Sequence, residues 1–480
     1  MTVKFSLSFW CGFVLGLVNA PPAVAAVSPD YAVVVSQPTQ ADPGWRLVVD
    51  ALQQAHQAAI LVYTNSVAET LPRLRALAPR YVCFVAQPAE ATRECAAQIH
   101  RLTRKLNDDP YADCIWGVLT GYDAANALRI AQRREPLTVN KVASGTEIAL
   151  ELCKEGVWFS ELKAGHMVRK APGGKPTTLE GPADSTPAIV RTLNEDRPDL
   201  FITSGHATER DWQIGYGYRS GQFRCENGKL YGLDTQKARH PILSPNPKVY
   251  LPVGNCLMGH IDGPNAMALA FLNSAGVHQM IGYTVTSWYG YAGWGCLDYF
   301  VEQPGRYTLA EAFFANHAAL IHRLHTYFPD LVAAPLDANG RPAQEIEETA
   351  AAKAAGLTSK DALGLLHDRD PVAFYGDPAW AARMAPGELA WNQTLTEKDG
   401  VWTFTVKPNG GEQSYEPTSR NGSQRGGRPF VQFLPRRLQQ VQILAGADLQ
   451  PVITANFILL PRSRASHPDY RVVFRTATHP

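Results

Sequence analysis

Two residues with reactive side chains each follow a short apolar run and lie in a glycine-containing turn. Cys256 stands in VGNCLMGHIDG (253–263), at the end of the run KVYLPV, and His206 stands in LFITSGHATERDW (200–212). A thiolate is a nucleophile, and a nearby imidazole can activate it or protonate a leaving amine. The two residue types therefore predict nucleophilic catalysis by a histidine and cysteine pair.

The turns around both residues contain glycines, which leave room for a ligand. Gly205, Gly254 and Gly259 flank the two candidates, so we expect a peptide backbone to approach closely there. Backbone N–H groups in the two turns could stabilise an oxyanion. The spacing is also compatible with a hydrogen-bonded loop histidine and a small buried cysteine, and it leaves both interpretations open.

A metal site is a further alternative in the same stretch. Cys256 and His260 have C-x3-H spacing, and His206 and Asp262 could complete a zinc ligand set. A second Cys/His pair with ligand spacing does not accompany them. We therefore expect no metal and no cofactor, and keep a zinc-dependent hydrolase as the third hypothesis.

Two series of short apolar strands alternate with helical patterns and predict an α/β fold. The first series runs from Tyr31, and the second begins after about residue 145. Continuous apolar strands between helices are typical of a parallel sheet covered on both faces. In the second series DLFITS ends before His206 and KVYLPV ends before Cys256. One intervening helix and its loop would place these strands side by side, and such sheets bind ligands at the carboxyl ends of strands.

From about Leu389 the pattern changes to strands without helices between them. The runs GVWTFTV, PFVQFLP, QQVQILA and VITANFILLP are separated by Gly- and Ser-rich loops, which predicts a β-sandwich over 389–480. We expect this tail to contribute stability or positioning and no reacting group.

Composition and charge exclude several classes of function. Of the 480 residues, 45% are hydrophobic and 19% charged, so the chain can bury a sizeable core. Lys and Arg (45) nearly balance Asp and Glu (44), which gives no electrostatic case for binding nucleic acid or an anionic membrane.

The first residues predict export. Lys4 precedes an apolar run over 5–18, and Ala23-Val24-Ala25 has the small-x-small pattern of a cleavage site. We therefore predict a signal peptide over 1–25, a secreted or periplasmic mature chain, and no membrane span in it. Its loss leaves seven of eight cysteines, an odd number that requires at least one unpaired thiol.

Several stretches resemble the gingipain family of caspase-like cysteine peptidases. LFITSGHA and VYLPVGNCLMG are similar to its histidine and cysteine blocks. AMALAFLNSAGVHQMIGYTVTSWYG is similar to the family segment after the nucleophile, which leads to a Ser-Trp pair, and AFYGDPAW is similar to its Gly-Asp-Pro turn. The resemblance implies two caspase-like α/β subdomains, here 26–145 and 146–388, followed by an immunoglobulin-like β-sandwich over 389–480.

The resemblance also implies roles for individual residues. Cys256 would be the nucleophile and His206 the general acid and base, with the backbone N–H groups of Cys256 and Ala207 as the oxyanion hole. Ser287 and Trp288 would bind the substrate, with a preference for basic residues before the scissile bond inherited from the family. On its own, a tryptophan after a strand is more typical of a core, so that alternative stays open for Trp288.

Three features depart from the family pattern. Ala207 replaces a glycine that usually follows the histidine, Asn255 stands where a small residue often precedes the cysteine, and DCIWGVLTGYD (113–123) lacks a Gly-Arg pair. The leading hypothesis is an exported cysteine endopeptidase that acts on protein or peptide substrates. The alternative is a gingipain-like protein that binds peptides or proteins without cleaving them.

The glycines of SWYGYAGWG (287–295) further predict a mobile aromatic loop that contains Tyr289 and Trp294.

Overall fold

The computed structural model describes residues 30–336, 345–462 and 470–476. The predicted signal peptide lies outside the described residues. Within them, no helix combines the length and the apolar character that crossing a membrane would require.

The first part of the chain forms four parallel strands with helices between them. Its elements are β1 (Tyr31–Ser36), α1 (Gln37–Ala41), α2 (Pro43–His56), β2 (Ala59–Tyr63), α3 (Leu71–Leu77), β3 (Tyr81–Val85), α4 (Arg93–Thr103), β4 (Ile115–Leu119), α5 (Ala124–Ala131) and β5 (Leu137–Val139). The strand order is β2-β1-β3-β4. All six residues of β1 are buried, as expected for a strand covered on both faces.

The second part adds the strands that carry the candidate site. Its elements are β6 (Lys141–Ser144), β7 (Glu155–Phe159), β8 (His166–Lys170), β9 (Thr177–Glu180), α6 (Thr186–Arg191), β10 (Leu200–Thr203), β11 (Asp211–Gln213), β12 (Gln222–Glu226), β13 (Lys229–Leu233), β14 (Arg239–Pro241), β15 (Lys248–Pro252), α7 (Met267–Ser274), β16 (Val277–Tyr283), α8 (Tyr291–Phe300), α9 (Leu309–Tyr327), α10 (Ala350–Ala354), α11 (Ser359–Asp368), β17 (Val372–Tyr375) and β18 (Ala382–Met384). Strands β16, β15, β10, β6 and β7 are parallel neighbours in that order.

Strand β17 joins the two groups into one mixed sheet of 12 strands. It is antiparallel to β16 and parallel to β4. The two groups of strands therefore run in opposite directions, and their carboxyl ends lie at opposite edges of the sheet. The fold is α/β, and because both groups share a sheet, the division near residue 145 stays a prediction.

The Gly376-Asp377-Pro378 turn after β17 connects the two groups. The Asp377 carboxylate accepts a hydrogen bond from the Tyr31 hydroxyl at 2.8 Å and lies 2.8 Å from His56 Nε2. Within the turn itself, it accepts a hydrogen bond from the Ala379 N–H at 2.9 Å. Gly376 has φ +116°, and a Cβ there would lie 2.2 Å from the His278 carbonyl oxygen. Only glycine allows this close approach.

The connection between β10 and β15 differs from the expected helix and loop. It consists of a four-stranded antiparallel sheet, β11-β12-β13-β14, whose Phe223 and Leu230 are buried in the main core. A parallel pair needs a long crossover that covers the sheet, and this small sheet provides one. The prediction of a helix there was wrong, while the predicted pairing of the two strands is present.

The tail forms two antiparallel sheets around a common core. Its strands are β19 (Trp391–Lys398), β20 (Val401–Pro408), β21 (Phe430–Phe433), β22 (Gln442–Ala445), β23 (Val452–Ile453), β24 (Phe457–Leu460) and β25 (Tyr470–Arg475). The orders are β19-β20-β25-β22 and β21-β24-β23. When the strands are numbered from the first strand of the tail, the two sheets have the orders 1-2-7-4 and 3-6-5. A constant-type immunoglobulin domain has the orders 1-2-5-4 and 3-6-7, so the fifth and seventh strands lie in different sheets in the two arrangements.

Aromatic side chains dock the sandwich on helix α9. Phe314 of α9 packs against Phe433 and Phe457, with ring centroids 5.4 Å apart in both pairs. Tyr111 packs edge-on against Phe457 at 5.6 Å. Because Phe457 is fully buried in the core of the α/β part, the two parts form one continuous packed structure.

We predict that Phe457→Ala lowers the free energy of unfolding by about 3–5 kcal/mol, because it removes a buried aromatic ring and leaves a cavity. Leu444→Ala is the matched control, since Leu444 lies in the same sandwich and is 47% exposed. Urea denaturation followed by tryptophan fluorescence measures both. Equal losses in the two variants would contradict this docking.

Candidate active site

The pairing of β10 and β15 brings the two candidate turns to one edge of the sheet. Thr203 at the end of β10 is in register with Pro252 at the end of β15. One residue further, the Val253 N–H donates to the Thr203 carbonyl at 2.9 Å. The chain then turns on both strands, and His206 and Cys256 follow within four residues of the strand ends.

Asn255 links the two turns to each other. Its side chain is fully buried. Its Oδ1 accepts a hydrogen bond from the Thr203 hydroxyl at 2.6 Å, and its Nδ2 donates to the Gly205 carbonyl at 3.0 Å. The residue that departs from the family pattern therefore holds the backbone before His206 beside the backbone before Cys256.

The sulfur of Cys256 contacts the backbone that follows β16. The Ser287 N–H donates to Sγ at 3.2 Å, and Sγ lies 3.5 Å from the Ser287 carbonyl oxygen. Of the Ser287-Trp288 pair named from the sequence, Ser287 thus contacts the candidate nucleophile.

Two of the three glycines around the site serve packing within the protein. A Cβ on Gly254 would lie 2.5 Å from Ser204 Oγ, and one on Gly259 would lie 2.4 Å from the Gly282 carbonyl oxygen. Gly205 instead has φ +92° and no atom within 3.7 Å of its Cβ position. Packing within the protein therefore accounts for the glycines at 254 and 259, and the close approach of a substrate backbone stays a prediction.

His206 lies at the rim of an open cleft of about 890 Å³. Its ring packs on that of Tyr216, with centroids 4.9 Å apart. The cleft is also lined by Tyr218, Arg219 and Lys237. Its volume lies within the about 300–1,000 Å³ that is typical of ligand pockets, and Cys256 is not among the residues that line it.

The two backbone groups named as an oxyanion hole lack a hydrogen-bond partner within the described residues. Within the described residues, the N–H groups of Ala207 and Cys256 donate no hydrogen bond to the protein. Free donors at this sheet edge are what a developing oxyanion requires.

Trp288 and Trp294 have opposite environments. Trp288 is 46% exposed, so it is not a core residue, and its ring lies 5.5 Å from that of His367. Trp294 and Tyr289 are buried, each 7% exposed, so the predicted mobile aromatic loop was wrong. Glycines in this stretch allow close packing: a Cβ on Gly293 of α8 would lie 1.9 Å from the Val253 carbonyl oxygen.

The arrangement does not favour the zinc alternative. Asp262 is paired with Arg210, with Oδ2 and Nη2 2.7 Å apart. In the described part of the chain, no three His, Cys, Asp or Glu residues come together as a metal site would require.

Sequence reasoning missed Glu161, which lies in the loop after β7. Its carbonyl oxygen accepts hydrogen bonds from the N–H groups of Tyr216 at 2.6 Å and Gly217 at 2.7 Å. Its carboxylate is buried, and Oε2 lies 3.8 Å from the Cβ position of Gly205. Nothing in the motif pattern points to it, because a loop residue so far from the two motifs in sequence meets them only through folding.

Comparisons with known proteins identify one distant structural similarity. No family model matches the chain, and no curated protein is similar to it in sequence. The fold is similar to a solved complex of the pro- and mature domains of RgpB from Porphyromonas gingivalis, with a TM-score of 0.44 and 10% identity, covering 90% of this chain and 93% of that one. A similarity at this level assigns neither a family nor an activity.

We predict that iodoacetamide at pH 8 alkylates Cys256 before the other two partly exposed thiols, Cys95 and Cys225. Burial raises the pKa of Cys95 to about 12 and that of Cys225 to about 11, so about one Cys225 in a thousand is ionised at pH 8. Peptide mapping by mass spectrometry at successive times measures the order. Labelling of Cys225 in wild type as fast as that of Cys256 would contradict it, and Cys225→Ser is the control for assignment.

Proposed function

We propose that the chain is an exported cysteine endopeptidase that uses Cys256 as nucleophile and His206 as general acid and base. The observation that carries the proposal is the parallel pairing of β10 and β15, with Asn255 bonded to both turns. The proposal is supported because the thiol and the imidazole follow neighbouring parallel strands, and α/β sheets bind ligands at the carboxyl ends of their strands.

In the proposed reaction the Cys256 thiolate attacks the carbonyl carbon of the scissile peptide bond. The negative charge that develops on the carbonyl oxygen is stabilised by the free N–H groups of Cys256 and Ala207. His206 then donates a proton to the leaving amine, the C–N bond breaks, and a thioester to Cys256 remains. A water molecule, deprotonated by His206, attacks the thioester and releases the carboxylic acid and the free thiol.

The surroundings of the pair support a peptide as the substrate. The cleft beside His206 has the volume of a ligand pocket, and Ser287, which contacts Cys256, is followed in the chain by the exposed Trp288. Ser287 and Trp288 would bind the residue before the scissile bond. The preference for a basic residue belongs to this proposal, as does export through the signal peptide at 1–25. An immunoglobulin-like tail also belongs to it, although the strand order of the tail differs from that of a constant-type domain.

We predict that Cys256→Ala and His206→Ala each lower peptide hydrolysis by at least about 10³-fold, and that the double variant is little worse than either, because the two residues act as a unit. Hydrolysis of a mixed fluorogenic peptide library, including peptides with Arg or Lys before the cleaved bond, measures this.

His260→Ala is the control for these variants, because His260 lies on the same turn but is a ligand only in the zinc alternative. Retained hydrolysis in Cys256→Ala would end the proposal. Loss in His260→Ala together with loss on chelation would favour the zinc hydrolase. Peptide binding by wild type without cleavage would favour the non-catalytic alternative.

We also predict that Trp288→Ala lowers kcat/KM more for peptides with a basic residue before the scissile bond than for neutral ones. An exposed indole attracts a cation by about 0.5–2 kcal/mol, which corresponds to a difference of up to about 30-fold. Trp288→Phe, which keeps an aromatic face, should recover part of the difference. An equal loss on all peptides would mean that Trp288 does not select the substrate.

A further inference from the structure

A loop of the C-terminal sandwich leaves that part and packs against the candidate site. It spans residues 416–428, between β20 and β21, and we call it the sandwich loop. Arg425 Nε donates to Asp298 Oδ1 at 2.6 Å, and Arg428 Nε donates to Asp298 Oδ2 at 3.2 Å. Asp298 belongs to α8, so the loop is tied to the helix whose residues also pack against the turn before Cys256.

Further contacts give the sandwich loop a fixed position. The Glu302 carboxylate pairs with Arg425 and accepts the N–H groups of Thr418 at 2.9 Å and Ser419 at 3.0 Å. The side chains of Arg425, Asp298 and Glu302 are all less than 10% exposed. Buried charges that satisfy each other hold one arrangement, because breaking any pair leaves an uncompensated charge.

The tip of the loop reaches the residues that surround both candidate catalytic groups. Gly422 has φ +89°, and a Cβ there would lie 2.4 Å from the Trp294 ring. On its other side, the Trp294 indole nitrogen lies 3.1 Å from the Cβ position of Gly254. The sandwich loop therefore supports, through one buried ring, the backbone two residues before Cys256.

Asn421 at the same tip makes the polar contacts. Its Nδ2 donates to Thr146 Oγ1 at 2.8 Å and to Glu161 Oε1 at 3.1 Å. Glu161 holds Tyr216 through its carbonyl oxygen, and Tyr216 packs on the ring of His206. The Glu161 carboxylate also lies next to Gly205, the residue before His206.

We propose that Asn421 is a positioning residue for His206, and that the C-terminal sandwich thereby completes the site. Asn421 fixes the Glu161 side chain, and Glu161 in turn fixes the backbone and the aromatic ring against which His206 rests. The catalytic meaning of this inference rests on the proposed function, whereas the coupling between Asn421 and His206 does not.

The charge state of Glu161 gives the coupling a measurable signature. Burial raises the pKa of this carboxyl, and the hydrogen bond from Asn421 acts in the opposite direction and lowers it. The other titratable groups that face it are Glu147, whose charge raises the pKa further, and Tyr218. Removing the Asn421 donor therefore shifts Glu161 toward its neutral form.

The experiment compares wild type with Asn421→Ala, Asn421→Asp and Ser423→Ala. Asp has nearly the shape of Asn but places a second carboxyl group beside Glu161, where two negative charges disfavour each other. Ser423 is exposed, lies two residues away in the same loop and is the matched control. Two quantities are measured from pH 5 to pH 9: kcat/KM for peptide hydrolysis, and the rate constant of Cys256 alkylation by iodoacetamide. Thermal unfolding shows whether each variant is folded.

We expect Ser423→Ala to match wild type. Asn421→Ala should lower kcat/KM about tenfold, the loss expected for one hydrogen bond to a charged group, and Asn421→Asp should lower it further. In both Asn421 variants the midpoint of the alkylation rate against pH should differ from that of wild type, because Glu161, which holds Tyr216 against His206, loses the donor that fixes its side chain.

If Asn421 only fills space, Asn421→Asp will resemble wild type more closely than Asn421→Ala does, and no midpoint will move; either result overturns the inference. If wild type hydrolyses peptides and all three variants match it, the inference fails and the proposed function stands. If wild type hydrolyses no peptide but the alkylation midpoints move as expected, the proposed function fails and the positioning role of Asn421 stands.

Discussion

The parallel pairing of β10 with β15 is the constraint on which the rest of the site depends. Both strands are buried at every residue, so neither can shift its register without exposing apolar side chains or burying polar ones. Their carboxyl ends must then lie together, and the turns that follow must share one edge. Since β16 is the next strand on the other side of β15, the chain after it, Ser287 and Trp288, also arrives at this edge.

Strand direction assigns the other half of the sheet a supporting role. The four N-terminal strands run opposite to the second group, so their carboxyl ends lie at the far edge from Cys256. The four N-terminal strands contribute to the burial of β17 and β16. They also anchor the turn at Asp377, whose carboxylate accepts a hydrogen bond from Tyr31 of β1. A break in this connection would affect the site only through the packing of β16.

Buried polar groups, more than apolar contact, determine how the turns are held. Asn255 satisfies Thr203 and the Gly205 carbonyl, and Asp298 satisfies two arginines of the sandwich loop. Each such group would be costly to bury without its partner, so each selects one arrangement of loops that the apolar core alone would leave free. The same reasoning connects the sandwich to the site, because a buried Glu161 requires the donor that Asn421 provides.

The sequence by itself determined the α/β pattern, the helix-free tail, and the two motifs at the ends of buried strands, because periodicity and glycine-rich turns are local properties. The family resemblance also named Ser287 and Trp288 as substrate-binding residues, and the contact of Ser287 with Cys256 is a finding of the structure. Tertiary structure alone decided that β17 joins two oppositely directed groups of strands, that Trp294 is buried while Trp288 is exposed, and that the glycines at 254 and 259 serve internal packing. It also decided that Glu161 and Asn421 meet beside His206, although they are 260 residues apart in sequence. Such contacts depend on how separate loops pack in space, and no local pattern of residue types encodes that packing.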